Sequence, residues 1–178
     1  MKDFDDAMVR MDAKMLVQRI NLYTEQISEI QKMLDKELAD NPFYKNIKTL
    51  PGVGSSLSLT LFLEVCEISR LNSASSFSSY CRVVPGVAQS GNKTAGGRNN
   101  KKGNPYIKSA LSQAAVAAVR CYKPISNYYE DHLQRRQGKG GKMVCYNIIA
   151  HKLAIATYKT LKGETIDQNR LFPMNEAV

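Results

Sequence analysis

From residue 5 to residue 41 no glycine or proline interrupts the chain, and apolar residues stand at Leu16, Ile20, Tyr23, Ile27, Ile30 and Leu34. The steps alternate between four and three, which is the a/d spacing of a helical seam. Leu38 continues the seam one residue out of register, and Gln18, Glu25, Gln26, Glu29, Gln31, Lys32 and Lys36 take the other faces. The pattern predicts a coiled-coil-like helix over 1–41, ended at Asn41-Pro42 because the residue before a proline avoids the α region. A seam of about three heptads leaves two readings open. Either the helix packs on its own domain, or it pairs with a second copy and makes a homo-oligomer.

The rest of the chain is punctuated as a helical domain over 42–163 with an irregular tail over 164–178. A short helix is expected around Phe43 to Lys48, then Leu50-Pro51-Gly52-Val53-Gly54, then an apolar helix from about Ser55 to Cys66. Ser73 suits the cap of a helix running to about Arg82. Residues 85–105, PGVAQSGNKTAGGRNNKKGNP, have no apolar periodicity and predict a loop rich in Gly, Asn and Lys. A loop of that length is uncommon as a plain connection. Pro105 fits the first turn of a helix whose stripe is Ile107, Leu111, Ala114, Ala115, Ala118 and Tyr122. Pro124 opens the next helix, Gly138, Gly140 and Gly141 break it, and a last helix covers about Lys142 to Leu161. No run alternates as a strand would, so the fold class is all-α.

Charge narrows the partner. Between Glu67 and Glu130 there is no acid, while Arg70, Arg82, Lys93, Arg98, Lys101, Lys102, Lys108, Arg120 and Lys123 fall inside that stretch. These nine bases equal the whole net charge of +9. Folded surfaces ordinarily interleave signs. One sign concentrated in one segment attracts phosphate and does so less strongly in salt. The alternative is a solvated basic face without a partner. Hydrophobic residues make up 43% of the chain, too many for a disordered one. No apolar run is long enough to span a bilayer, so no membrane role is expected. The acidic start, MKDFDDAMVRMD, lacks the apolar core of a signal peptide. Cys66, Cys81, Cys121 and Cys145 stand far apart without a C-x-x-C pair, which argues against zinc and for buried, reduced thiols in a cytoplasmic protein.

Two elements could hold a phosphate backbone. Ile47-x-x-Leu50-Pro51-Gly52-Val53-Gly54-x-x-x-Ser58 resembles a helix-hairpin-helix, placed at 43–66. Gly52 and Gly54 permit a tight turn and close approach, and the second helix begins with free N–H groups. A plain helical hairpin with a glycine turn is the other reading. The second element is the loop, where Gly91, Lys93, Arg98, Lys101, Lys102 and Asn104 precede Lys108 one helical turn on. Catalytic candidates are sparse. His132 and His151 are isolated, Asp3, Asp5 and Asp6 read as charge at a helix start, and no His/Cys/Asp cluster has metal-ligand spacing. Ser90, next to Gly91 and surrounded by bases, is one serine among many.

The order of these elements carries a resemblance. A seam helix, LPGVG, S-F-S-S-Y-C-R-V-V-P-G-V-A-Q-S-G and K-K-G-N-P-Y-I-K-S-A-L together are similar to the C-terminal domain of transposases related to the Piv invertase, the insertion sequence one-ten family. The P-x-x-x-x-S-G element runs from Pro85 to Gly91 and the K-x-G-N-x-x-[IL]-[KR]-x-x-L element from Lys101 to Leu111. The resemblance implies that Ser90 is a nucleophile that becomes joined to DNA phosphate. It also implies a structured guide RNA and an N-terminal RuvC-like domain whose acids hold a divalent metal such as Mg. Two departures stand out. Nothing ahead of the seam helix offers four acids on a strand-rich fold, so the chain reads as a fragment inactive alone and without a cofactor of its own. Lys108 stands where the family often has Arg, which keeps the charge and loses the bidentate fork. The expected function is that of a DNA-binding, serine-bearing transposase domain in a bacterial, nucleoid-associated protein. The alternative is a nucleic-acid-binding dimerisation module without catalysis.

Overall fold

The structure is a computed structural model that describes residues 7–84, 88–90, 93–95, 102–136, 140–164 and 166–173. It divides into two units, Met1–Ala39 and Asp40–Val178.

The first unit is one helix, α1 (Ala7–Glu37), about 46 Å long at 1.5 Å per residue. None of its residues is buried. Leu16, Ile20, Tyr23, Ile27 and Ile30 are each more than half exposed, so the seam is a bare apolar stripe. The helix stops four residues before Asn41. Asn41 instead caps the next helix, its Oδ1 accepting from the N–H groups of Phe43 at 3.0 Å and Tyr44 at 3.1 Å. A side chain that satisfies two orphan donors favours the start of a new helix over the end of an old one.

The second unit runs α2 (Pro42–Lys48), α3 (Ser55–Val65), a 3-10 turn (Ile68–Arg70), α4 (Ala74–Tyr80), strands β1 (Ala88–Ser90) and β2 (Lys93–Ala95), then α5 (Pro105–Cys121), α6 (Lys123–Arg135), α7 (Gly141–Leu161) and α8 (Gln168–Leu171). Its class is all-α. Helices α5 and α7 form the centre, with α3 on α5, α4 on α7, α6 on both, and α2 against α3 and α7. Ala110, Ala114, Ala115 and Ala118 of α5 and Ala150, Ala154 and Ala156 of α7 are buried. Their small side chains let the two axes approach closely, while Ile107, Leu111, Ile149 and Leu153 fill the core around them. Each of these larger side chains contributes roughly 1.5–3 kcal/mol by leaving water.

Three features differ from the sequence expectation. Within the predicted loop, β1 and β2 pair antiparallel in the register Ala88↔Ala95, Gln89↔Thr94 and Ser90↔Lys93. Strands of three residues are too short for alternation to show. The tail is not wholly irregular: α8 forms, and Phe172 returns to the core at 3% exposure. Lys152 Nζ donates to the Leu171 carbonyl at 2.7 Å, and the Phe172 ring meets Tyr128 edge-on at 5.7 Å. Finally, Cys81 and Cys145 are buried as expected of core thiols, but Cys66 and Cys121 are exposed; all four are free.

Candidate nucleic-acid interface

The chain enters and leaves the segment that carries Ser90 at the end of α4, a pair of arms termed the stalk. Helix α4 starts at Ser73, whose Oγ accepts from Ser76 N–H at 3.1 Å. It ends in a Schellman motif: Val83 N–H donates to the Ser78 carbonyl at 3.2 Å and Arg82 N–H to Ser79 at 3.0 Å. The motif needs a left-handed residue after the cap, and here that residue is Arg82 at φ 58°. Glycine ordinarily takes this position, since an L side chain there costs about 1 kcal/mol or more. The chain comes back at Gly103, φ 114°, and Asn104 N–H donates to the Tyr80 carbonyl at 2.8 Å. Both arms of the stalk are therefore fixed at the end of α4.

Asn104 is fully engaged within the protein. Its Oδ1 accepts from Tyr106 N–H at 2.8 Å and Ile107 N–H at 3.1 Å, which caps α5. Its Nδ2 donates to Glu64 at 2.7 Å and lies 3.5 Å from the Tyr80 hydroxyl. Glu64 brings the end of α3 to the same place. Arg70 completes the cluster: its guanidinium stacks 4.6 Å from the Tyr80 ring and donates to the Val65 carbonyl at 3.3 Å. Exposed Lys102 and partly exposed Lys108 flank this end of α5, and Tyr106 on its first turn is 66% exposed. Arg70, Arg82, Tyr80 and Tyr106 were not distinguishable as site residues by motif. The two arginines were visible only as members of the acid-free stretch.

The glycine turn lies elsewhere. A Cβ on Gly52, whose φ is 75°, would fall 2.1 Å from the Ala114 carbonyl oxygen and 2.6 Å from Ala118 N. Gly52 is thus required by the packing of the turn on the C-terminal half of α5. Asn104 starts that helix, so the turn and the hairpin stalk are separated by about 15–20 Å of helix at 1.5 Å per residue. Gly54 is different. It precedes α3 with no side-chain cap, and a Cβ there would meet nothing within 4 Å. The first N–H groups of α3 are consequently uncapped by side chains, as a phosphate contact would need. Ser58 is buried between α2 and α3, its Oγ donating to the Ser55 carbonyl at 2.8 Å and lying 3.3 Å from the Tyr44 hydroxyl. Exposed Arg120 and Lys123 belong to the far end of α5.

The sequence candidates therefore divide into two groups. Ser90, Lys93, Lys102, Asn104 and Lys108 belong to the hairpin and its stalk, with Ser90 and Lys93 paired by backbone register. Gly52 and Gly54 do not join them. Gly91, Arg98 and Lys101 lie outside the described residues, as do the side chains of Ser90 and Lys93. His132 sits 4.5 Å from the Tyr128 ring, and burial together with the charge of Lys152 pushes the His151 pKa down; among the described residues neither has a hydrogen bond to an acid. Among the described residues no three His, Cys, Asp or Glu side chains gather as a metal site would require. Among the same residues no helix is long and apolar enough to cross a membrane.

Residues 44–130, from α2 into α6 and including the hairpin and its stalk, match the model of the Transposase IS116/IS110/IS902 family. No curated protein matches the chain.

Proposed function

We propose, on the match of residues 44–130 to the Transposase IS116/IS110/IS902 family, that this chain is the DNA-binding, serine-bearing part of such an enzyme, with Ser90 as its nucleophile. The observation that carries the reading is the hairpin. Its register sets Ser90 opposite Lys93, and its stalk rises from an end of the domain where Arg70, Arg82, Lys102 and Lys108 collect. In the proposed step the Ser90 oxygen bonds to a DNA phosphorus and the ester bond to the leaving deoxyribose oxygen breaks. The serine proton is given up and the leaving oxygen gains one. The bond count is unchanged, so rejoining needs only the reverse attack by a new strand end.

A serine hydroxyl at its ordinary pKa is a poor nucleophile and needs a base to take its proton or a metal to lower its pKa. A divalent metal such as Mg, held by a separate acidic RuvC-like domain, would supply the second, with the proton passing to solvent. It gives DNA contact to the stalk bases, with the uncapped start of α3 at Gly54 as a second backbone contact. It gives self-association to the bare seam of α1, and a guide RNA to the same basic surface. A protein with these partners works on the nucleoid in the cytoplasm.

The test joins this chain to the acidic domain and replaces Ser90→Ala. Strand exchange and the covalent protein–DNA adduct on a nicked substrate should disappear while DNA binding persists. Normal exchange by the variant would reject Ser90 as the nucleophile. A chain that binds DNA and never forms the adduct would be a binding module.

A further inference from the structure

We infer that Arg82 is a phosphate-binding residue, a cation fixed at the throat of the Ser90 hairpin to hold a DNA phosphodiester. The inference rests on the reading above that this end of the domain meets DNA. It adds a residue that neither the glycine turn nor the S-G element contains.

The backbone makes the first case. Arg82 and Cys66 are the two non-glycine residues with positive φ among those described. The Schellman position after α4 is one where glycine alone is free of steric cost. Nothing in the helix end requires a side chain there, because the two capping bonds use only the backbone N–H groups of Arg82 and Val83. A long cation at that position is thus unfavourable locally, and such outliers persist where something outside the local fold gains from them.

The side chain makes the second. Its Nε is shut off from solvent and has no hydrogen-bond partner among the described residues. Buried donors of native proteins are almost always satisfied, so an unmet guanidinium N–H shows that the fold itself does not supply this cation's acceptor. The stem is held where it is: a Cβ on Gly103, the returning arm of the stalk, would come within 2.9 Å of Arg82 Cγ. The residue as a whole is only partly buried.

The surroundings make the third. Glu64, which the structure brings to this end, is tied to Asn104 by a 2.7 Å hydrogen bond. Arg70 is occupied by Tyr80 and Val65. Arg82 lies on the outgoing arm, with its stem against Gly103 of the returning one. A guanidinium matches two oxygens of one phosphodiester with a planar fork, which lysine cannot do.

The experiment compares the full chain with its Arg82→Gln, Arg82→Gly and Lys108→Gln variants. Affinity for a short DNA duplex is read by fluorescence anisotropy at several salt concentrations, and melting temperature is read in parallel. Arg82→Gln keeps the stem and the backbone cost and removes only the charge. It should bind about five- to tenfold more weakly, with a salt slope shallower by about one and an unchanged melting temperature. Arg82→Gly should show the same loss of binding without a fall in melting temperature. A same-sequence RNA duplex is measured alongside, and a loss confined to RNA would overturn the DNA assignment. Wild-type affinity and slope in Arg82→Gln, with binding weakened by Lys108→Gln, would sink this inference and leave the proposed function standing. A lower melting temperature in Arg82→Gln without a change in slope would make Arg82 a staple of the hairpin and overturn the inference as well. A wild-type chain without salt-dependent binding would sink both.

Discussion

Gly103 and Tyr80 touch backbone to backbone: a Cβ on Gly103 would lie 2.3 Å from the Tyr80 carbonyl oxygen, the same oxygen that accepts from Asn104 N–H at 2.8 Å. The returning arm of the hairpin can close on α4 only if residue 103 has no side chain. Gly103→Ala combines that clash with a φ of 114° that alanine rarely adopts. It should destabilise the domain by roughly 2–4 kcal/mol, a drop of several degrees in thermal unfolding. A melting temperature equal to that of the wild type would show that the stalk is not closed in this way.

The two glycines of the turn should behave oppositely. Gly52→Ala drives a methyl into α5 and should cost about 2 kcal/mol or more. Gly54→Ala meets open space at a φ of −89° and should leave the melting temperature within about 1 °C. If the start of α3 contacts phosphate, Gly54→Asp should weaken DNA binding while the fold stays intact. Unaltered binding in Gly54→Asp would remove the turn from the interface.

Asn104 should be measured as a structural residue first. Asn104→Ala removes the α5 cap and the Glu64 bond, and a loss of about 1–2 kcal/mol is expected from chemical denaturation. Asn104→Asp keeps the cap acceptor and sets a carboxylate beside Glu64, so it should stay less stable than the wild type. A Glu64→Gln background should recover part of that loss by removing the like charge. No coupling between the two positions would contradict the 2.7 Å contact.

Burial and Lys152 lower the His151 pKa, so the folded state prefers the neutral imidazole. The stability this confers is present above the ordinary histidine pKa near 6.5, and it is lost as pH falls toward the lower folded value. Melting curves between pH 7.5 and about pH 5 should show this decline, and His151→Gln should flatten it. A wild-type and variant pair with parallel pH profiles would rule out His151 as the source.

The bare stripe of α1 gives a solution test. Ile20→Asp with Ile27→Asp should reduce the sedimenting mass of the full chain to that of a single copy. The melting temperature of the second unit should not fall. A chain already monomeric before the change would assign the stripe another occupant.

What could be read from residues alone follows physical lines. The α4 and α5 starts were legible because Ser73 and Pro105 are local signals that act within three residues. The seam of α1 was legible because six residues repeat it. Gly52 was read as a residue that permits a tight turn, and its φ is 75°, yet the neighbours that exclude a side chain there, Ala114 and Ala118, are some sixty residues away in the chain, and no local rule reports them. The separation of the glycine turn from the hairpin stalk was hidden for the same reason. Arg82 was counted as charge and could not be seen as strained, because the left-handed position depends on where α4 ends to within one residue.

The length of α5 sets a ruler for any nucleic acid that touches both the stalk and the start of α3. A separation of about 15–20 Å corresponds to roughly five base pairs of B-form duplex at 3.4 Å per step. That is near half a turn, over which one strand passes to the far side of the rod and the other comes to the near face, so the two contacts would meet opposite strands. Chemical footprints should then appear as two short protected patches, staggered between strands, instead of one continuous block.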